Sequence, residues 1–360
     1  MQIRRGSRAA LAMIAVVALV IVGCARQQAQ QPAGPEKLKI GIVYDVGGRG
    51  DLSFNDMAYA GLQRAQQEFG DRIETRDLEP TAGGENREEL LRLLAGEGFD
   101  LIFGIGFLFT DSVQRVAKEF PNVKFGLVDG FIPDLTEDSN VACLLFNEHE
   151  GSFLVGAAAA LKSTTNVIGF VGGMKIPLIE KFEAGFIAGA RYVKPNIRVL
   201  SDYAGTTGEA FRDPVKGKEL ALAQYDRRAD IIYHASGGTG IGVFEAAVTR
   251  DRLAIGVDAD QSLTVKEDQR GRILTSMLKR VDVAVYETIK AFIENQYKGG
   301  YRTFGLANDG VGYAENDYNR DMIADIKPRL EELKQKIVAG EIKVPQSRAE
   351  LETFLKTIPK

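Results

Sequence analysis

The chain has little of the chemistry that metal centres and disulfide-stabilised folds require. Only two cysteines and two histidines occur in 360 residues. His149 and His234 lie far apart in sequence, which argues against a metal site built from histidine and cysteine. Cys143 lies in an apolar run, and the other cysteine, Cys24, is the predicted lipidation site described below. We therefore expect no disulfide within one chain, and we interpret Cys143 as a small buried side chain.

Motifs of several large enzyme classes are also missing. The sequence has no P-loop, no G-x-S-x-G nucleophile elbow and no H-E-x-x-H zinc site. The glycine-rich stretch Gly237–Gly242 comes late in the chain, whereas a dinucleotide-binding fold places such a loop after its first strand. Lysine and arginine form no basic patch, which argues against a nucleic-acid partner. We accordingly expect no catalytic residues, no cofactor and no metal.

The N-terminus has the features of an export signal. Arg4, Arg5 and Arg8 precede an uninterrupted apolar run of 14 residues, Ala9–Val22. That length suits a signal peptide and is short for a membrane-spanning helix, which needs about 20 residues. The run ends in Ile-Val-Gly-Cys, which resembles a bacterial lipobox with Cys24 as the acylated residue. We predict a lipoprotein signal at 1–23, and a flexible, glutamine- and proline-rich tether at 24–37.

After the tether, buried-strand and amphipathic-helix patterns alternate along the chain. Runs such as Lys39–Tyr44 and Leu101–Ile105 read as strands, and Phe54–Phe69 has helical spacing of its apolar residues. The same alternation restarts near Val167, which indicates two α/β units with parallel sheets. We predict a first lobe at 38–148, completed by 280–300. The second lobe is predicted at 149–279 and 301–360, with the crossing near Glu148.

Ligands of open α/β sheets bind beyond the carboxyl ends of the strands, so the residues just after each strand are the candidate site. These positions are rich in glycine, aromatic and acidic residues. That mixture suits a polar, uncharged ligand with a ring, because aromatics stack it and carboxylates accept from its N–H and O–H groups. The predicted contacts are Asp45, Phe54, Asn55, Phe107, Asp129, Phe211, Gly237, Gly238, Asp258 and Lys279.

Several of these stretches resemble one family. They include Asp51–Asn55 (DLSFN), Gly104–Asp111 (GIGFLFTD), Phe125–Asp129 (FGLVD), Phe211–Lys218 (FRDPVKGK) and Thr275–Lys279 (TSMLK). Together with the lipobox and their order, they resemble the basic membrane lipoprotein family. That family has type I periplasmic-binding-protein folds and includes the purine nucleoside receptor of spirochaetes.

The resemblance implies a role for each matching position. Phe54 and Phe211 would sandwich a nucleoside base, and Asn55 and Asp129 would hydrogen-bond its edge. The ribose hydroxyls would be held by Asp258 and Lys279, while the Gly237–Gly238 backbone would line the pocket. One departure is the segment 203–211, which is longer than the family's usual loop before the second aromatic residue.

The resemblance also implies a place and partners. The chain would be a monomeric receptor anchored by lipid to the outer face of the cell membrane, delivering a nucleoside to ABC permease and ATPase subunits. Two alternatives stay open from the residues alone. One is an exported nucleoside-cleaving enzyme that uses Asp45, Asp51 and Asp129; the other is a signalling or adhesion lipoprotein on the same fold.

Overall fold

The computed structural model describes residues 37–81 and 83–358. The predicted signal peptide, the lipidation residue Cys24 and the predicted tether up to residue 36 lie outside the described residues. Within the described part of the chain, no helix is both long enough and apolar enough to cross a membrane.

The strands include the two apolar runs named in the sequence analysis, Leu101–Ile105 without change and Lys39–Tyr44 shifted by one residue. In chain order they are β1 Leu38–Val43, β2 Ile73–Leu78, β3 Leu101–Ile105, β4 Lys124–Val128, β5 Val141–Phe146, β6 Val167–Met174, β7 Arg198–Gly205, β8 Ile231–Ala235, β9 Leu253–Asp258, β10 Ile273–Lys279, β11 Gly300–Phe304 and β12 Val311–Tyr313.

The helices mostly follow the strands one by one. In chain order they are α1 Phe54–Phe69, α2 Arg87–Gly96, α3 Thr110–Glu119, α4 Glu148–Lys162, α5 Pro177–Val193, α6 Pro214–Asp226, α7 Gly240–Arg250, α8 Glu267–Arg270, α9 Val281–Ile293, α10 Arg320–Ile323, α11 Lys327–Val338 and α12 Arg348–Thr357.

The described strands form two sheets with the same arrangement. One has the order β11-β5-β4-β3-β1-β2 and the other the order β12-β10-β9-β8-β6-β7. The pairs are parallel except β10 with β12. Strand by strand, β1 of the first sheet corresponds to β6 of the second, β3 to β8, and β4 to β9. The predicted architecture of two doubly wound parallel-sheet lobes is confirmed.

Over the described residues, the chain crosses between the lobes three times. The crossings lie between β5 and α4, between β10 and α9, and between β11 and β12. Helix α9 packs on α1 of the first lobe, and β11 pairs with β5 in the first sheet. The segment that returns to the first lobe therefore extends to Phe304, and the predicted boundary at residue 301 is wrong. The apolar pattern does not reveal β11, because it is a short edge strand with few apolar residues. Its parallel pairing with β5 places it in the first lobe.

Helix α4 was not anticipated, because its sequence lacks an amphipathic pattern. It is rich in alanine, and most of its residues are buried. It packs closely on α5, and a Cβ atom at Gly156 would come within 2.1 Å of the Phe186 carbonyl oxygen. Such close helix packing requires glycine at the contact. The first crossing between lobes is therefore followed at once by a helix buried within the second lobe.

Candidate functional site

The carboxyl ends of the strands of both sheets face one cavity. It encloses about 580 Å³ of space free of protein atoms, part of it open to solvent. The lining residues come from both lobes: Asp45, Val46, Asp51, Phe54, Asn55, Gly106, Phe107, Asp129, Leu178, Ile179, Phe182, Phe211, Ala235, Ser236, Gly237, Val257, Asp258 and Lys279.

The turn after β1 places Asp45 in the first lobe's wall, where the Arg87 guanidinium supports it. The Asp45 carboxylate accepts from the Val46 amide at 2.7 Å and from Arg87 at 3.2 Å. The Asp45 amide donates to the Asn55 side-chain oxygen at 2.9 Å. Burial raises the pKa of Asp45 to about 6, against the opposing effect of Arg87. These contacts within the first lobe hold the Asp45 side chain in place.

Asp51 organises the start of α1. Its carboxylate accepts from the amides of Ser53, Asn55 and Asp56 and from the Asn55 side-chain nitrogen, at 2.9–3.2 Å. These are amide donors that a helix start leaves without partners inside the helix. Burial raises the pKa of Asp51 to about 7. Asp51 therefore holds Phe54 and Asn55 in position at the cavity.

The most charged part of the site joins the two lobes. The Lys279 ammonium, at the end of β10, lies 2.5 Å from the Asp129 carboxylate, which follows β4. It also lies 3.2 Å from Glu148 at the first crossing. Lys181 lies on the far side of Glu148, at 2.7 Å. The second oxygen of Asp129, Oδ1, is buried and has no hydrogen-bond partner among the described residues.

The surroundings of Lys279 keep it charged. Its ammonium lies 4.9–5.5 Å from the ring centres of Phe146, Phe54 and Phe182, a favourable arrangement for a cation. Burial lowers the pKa of Lys279, but the Asp129, Glu148 and Asp258 carboxylates outweigh burial and raise it above its ordinary value. A buried ammonium with this set of neighbours is a permanent positive charge at the floor of the cavity.

Asp258 occupies the matching place in the second lobe. It ends β9, and its Oδ2 atom accepts from the Ser53 hydroxyl of the first lobe at 2.5 Å. Burial raises the pKa of Asp258. Both Asp129 and Asp258 have left-handed backbone conformations, with φ of 62° and 64°. Such conformations are uncommon for residues other than glycine and occur preferentially at functional sites.

Aromatic rings complete the walls. Phe54 and Phe107 come from the first lobe, and Phe182 and Phe211 from the second. The Phe107 and Phe211 rings meet edge to face, with centres 6.4 Å apart. The longer segment 203–211 continues β7 to Gly205 and ends in a short 3-10 turn that delivers Phe211 to the cavity. Its length therefore does not remove Phe211 from the site.

The structure brings nine of the ten sequence-predicted contact residues to this cavity, and whether they contact a ligand stays a prediction. Gly238 is the exception, since it packs beside Asp51 of the other lobe, where an added Cβ would lie 3.7 Å from the Asp51 Cβ. Sequence reasoning missed Leu178, Ile179, Phe182 and Glu148. The first three lie on the face of α5 that meets the cleft, and Glu148 lies behind Lys279.

The acidic residues of the first lobe do not gather into a metal site. Within the described residues, no cluster of three or more histidine, cysteine, aspartate or glutamate side chains is arranged to hold a metal ion. The oxygens of Asp51 are already used to cap α1, and Asp45 is paired with Arg87.

A family model described as ABC transporter substrate-binding protein, PnrA-like (Bmp), matches residues 37–348. That span covers both lobes and the whole cavity. The chain belongs to the Bmp family. This membership identifies it as an ABC transporter substrate-binding protein and agrees with the resemblance seen in the sequence.

Relatives in this family match along nearly the full chain. An uncharacterized lipoprotein of Pyrococcus furiosus is 35% identical, with 96% of each chain covered. An ABC transporter nucleoside-binding protein of Lactococcus lactis is 34% identical, covering 94% of this chain and 97% of its own. The crystal structure of an ABC transporter solute-binding protein from Aeropyrum pernix K1 superposes with a TM-score of 0.76 at 30% identity, covering 89% of this Bmp chain and 97% of its own.

Proposed function

We propose that this Bmp protein is a lipid-anchored receptor that binds a nucleoside, and preferably a purine nucleoside, between its lobes and delivers it to an ABC permease. The observation that carries the ligand class is the pair of aspartates with buried side chains, Asp129 and Asp258, facing an aromatic cavity from opposite lobes. Each uses one carboxylate oxygen in an inter-lobe contact and leaves the other for a ligand donor. A nucleoside has N–H donors at one end and vicinal hydroxyls at the other.

The base would lie at the Phe54 and Phe211 rings, with its edge towards Asn55 and the Asp129 Oδ1 atom. Leaving a buried carboxylate oxygen without a partner costs about 1–3 kcal/mol or more. A ligand N–H group that donates to Asp129 would recover that cost. The ribose would lie near Asp258 and Lys279, where a carboxylate accepts from hydroxyl groups and an ammonium donates to their oxygens.

The charge of the cavity supports a nucleoside over a nucleotide. Among the described residues, its lining contains four carboxylates and one ammonium, and that ammonium is already paired with Asp129. A phosphate group would meet the Asp129 and Asp258 carboxylates in a poorly hydrated space, which is strongly unfavourable. This excess of carboxylates over ammonium groups therefore favours an uncharged ligand.

The anchor and the partners rest on the N-terminal pattern and on the family. The lipobox at Cys24 would tie the receptor to the outer face of the cell membrane, with residues up to 37 as a tether; a relative named as a lipoprotein supports this. Permease and ATPase subunits follow from membership of an ABC transporter family. We expect the receptor to act as a monomer, because a single chain supplies the whole cavity.

Calorimetry tests the ligand. We expect guanosine, inosine or adenosine to bind at least about a hundred-fold tighter than the matching free base, which corresponds to roughly 2.7 kcal/mol. Phe54→Ala should weaken binding about ten- to a hundred-fold. Phe131→Ala removes an exposed ring of the same lobe outside the cavity and should leave affinity unchanged. Equal affinities for guanosine and guanine would refute the ribose assignment.

Fractionation tests the anchor. Replacing Cys24 with alanine should move the protein from the membrane fraction to the soluble fraction, since the lipid would have no attachment site. A Cys24→Ala protein that remains membrane-bound would show that another segment provides the anchor. Labelling with a radioactive fatty acid distinguishes acylation at Cys24 from simple retention of the apolar leader.

A further inference from the structure

The segment that carries Phe211 into the cavity is exposed over much of its length. Between the end of β7 and the start of α6, the side chains of Thr206, Thr207 and Glu209 are exposed. A loop with few buried contacts belongs to the least stable parts of a fold and opens readily. The position of the Phe211 ring therefore depends on contacts from outside the segment.

Thr239, in the turn between β8 and α7, supplies two such contacts. Its hydroxyl donates to the Ala210 carbonyl oxygen at 2.9 Å and accepts from the Asp213 amide at 2.8 Å. A threonine hydroxyl can donate and accept at the same time, so both hydrogen bonds form together. One hydroxyl thereby binds the backbone on both sides of Phe211.

The packing around Thr239 directs its hydroxyl at this segment. Thr239 occupies the N-cap position of α7, where threonine usually accepts from the first amides of its own helix. It makes no such capping hydrogen bond here. Its side chain is fully buried, and α6 packs closely on its backbone, since a Cβ atom at Gly217 would lie 2.1 Å from the Thr239 carbonyl oxygen. Thr239 is therefore held firmly within the second lobe.

Phe211 itself packs on glycine backbone. A Cβ atom at Gly173, near the end of β6, would lie 2.2 Å from the Phe211 Cε1 atom, so the ring lies directly on the strand. The Phe211 carbonyl oxygen lies beside Gly237 and Gly238, at 3.1 Å and 3.4 Å from the Cβ atoms that side chains would add there. Glycine offers no side chain that could stop the ring from sliding. The ring's position therefore depends on the neighbouring backbone that Thr239 binds.

We propose that Thr239 is a positioning residue for Phe211, and that its hydroxyl holds the second ring of the binding site in place for stacking. A ring that is already ordered binds a flat ligand without the entropic cost of ordering a mobile segment. The contacts lie within the second lobe, so they do not depend on the separation of the lobes. The consequence for stacking rests on the proposed nucleoside function, whereas the ordering of the segment does not.

Hydrogen exchange followed by mass spectrometry, on the full chain without added nucleoside, measures the order of the segment. Thr239→Val keeps the shape of the side chain and removes the hydroxyl. We expect amide exchange over residues 206–213 to become about tenfold faster, because both hydrogen bonds are lost. Thr239→Ser retains the donor and acceptor and should stay within about twofold of the parent. Ser163→Ala removes a buried hydroxyl that donates to Asp230 at the other end of the lobe, and it should leave exchange over 206–213 unchanged.

Calorimetry with guanosine tests the consequence for binding. Thr239→Val should weaken guanosine binding about tenfold, and Thr239→Ser should restore most of the affinity. In a Phe211→Ala background, Thr239→Val should change the affinity by less than about twofold, because no ring is left to position. In a Phe54→Ala background, which lacks the ring of the opposite lobe, the loss of about tenfold should persist.

Three results would overturn the proposal. They are unchanged exchange over residues 206–213 in Thr239→Val, a Thr239→Ser variant as impaired as Thr239→Val, and an equal effect of Thr239→Val in the Phe211→Ala and Phe54→Ala backgrounds. If guanosine does not bind the parent, the nucleoside proposal fails. The exchange measurement then still decides whether Thr239 orders the segment.

Discussion

Each lobe has an aspartate with a left-handed backbone at the cleft, and the two aspartates contact the opposite lobe through different kinds of side chain. Asp129 follows β4 and Asp258 ends β9, which are corresponding strands of the two sheets. Both residues have left-handed backbones, and the side chains of both are buried. Asp129 is bound across the cleft by an ammonium, Lys279, whereas Asp258 is bound by a neutral hydroxyl, Ser53.

We expect the Asp129–Lys279 contact to persist when the lobes move apart, and the Ser53–Asp258 contact to break. The ion pair of Asp129 lies next to the chain crossings, since Lys279 and Glu148 flank two of them. Because this ion pair lies beside the crossings, we expect a rotation of the lobes about them to change the Asp129–Lys279 distance little. The Ser53–Asp258 bond involves one charge, and water can replace the hydroxyl once the cleft opens. We infer that the first aspartate stabilises the fold and the second responds to opening.

The largest expected effect comes from breaking the charged link. Lys279→Met leaves the Asp129 and Glu148 carboxylates buried with one fewer cation, and such losses cost about 3–5 kcal/mol. We expect a decrease of that size in the free energy of unfolding at neutral pH, measured by urea denaturation. Ser53→Ala should cost less, about 1–3 kcal/mol. Equal losses in the two variants would remove the distinction between the aspartates.

A smaller effect is expected in the pH dependence of the free energy of unfolding, to which Asp258 contributes. Burial raises the folded-state pKa of Asp258 above its unfolded value of about 3.9. Its contribution to stability is therefore fully present below about pH 4 and is lost as pH rises through the folded pKa. Asp258→Asn removes this loss, so the variant should gain stability relative to the parent as pH rises above about 4.

Urea midpoints at several pH values measure that gain, because the difference between variant and parent cancels the other titrating groups. Asp138→Asn, an exposed loop carboxylate of the first lobe, is the matched control and should show a constant difference. A difference for Asp258→Asn that moves in the opposite direction as pH rises would show that hydrogen bonding outweighs burial at this carboxylate.

The fold and much of the cleft could be predicted because they depend on local patterns. Apolar strand runs followed by polar turns gave the two lobes, and the residues after the strands reach the cavity. Phe54 and Asp129 are examples, since each lies within a few residues of a strand end or helix start. The physical rule that ligands bind at the carboxyl ends of parallel strands is sufficient for such positions.

The remaining features depend on contacts between distant parts of the chain. Helix α4 is apolar on all sides because it is buried on all sides, so its sequence shows no helical periodicity. Glu148 contacts Lys279, which lies more than a hundred residues away. Gly238 was assigned to the pocket from its place after β8, yet the approach of Asp51 from the other lobe decides its surroundings. No local pattern contains that information.

A second pair of corresponding positions extends the comparison to glycines. Gly106 follows β3 and Gly237 follows β8, and both have positive φ. Gly106 adopts φ 107° and ψ 153°, a region open essentially to glycine alone. A Cβ there would lie 2.1 Å from the Asp45 Oδ2 atom. We expect Gly106→Ala to lower the free energy of unfolding by about 1–3 kcal/mol and to weaken ligand binding by displacing Asp45.

Gly237→Ala should have the smallest effect of the series. Its φ of 55° lies in the left-handed region, which an alanine enters at a cost of about 1–2 kcal/mol. An added Cβ would come to 3.1 Å from the Phe211 carbonyl oxygen, so a displacement of a few tenths of an ångström would relieve it. We therefore expect a loss of about 1 kcal/mol in unfolding and a change in guanosine affinity below about fivefold. If Gly237→Ala proves as damaging as Gly106→Ala, the second lobe's turn must be as rigid as the first's, and the contrast between these two glycines would be wrong.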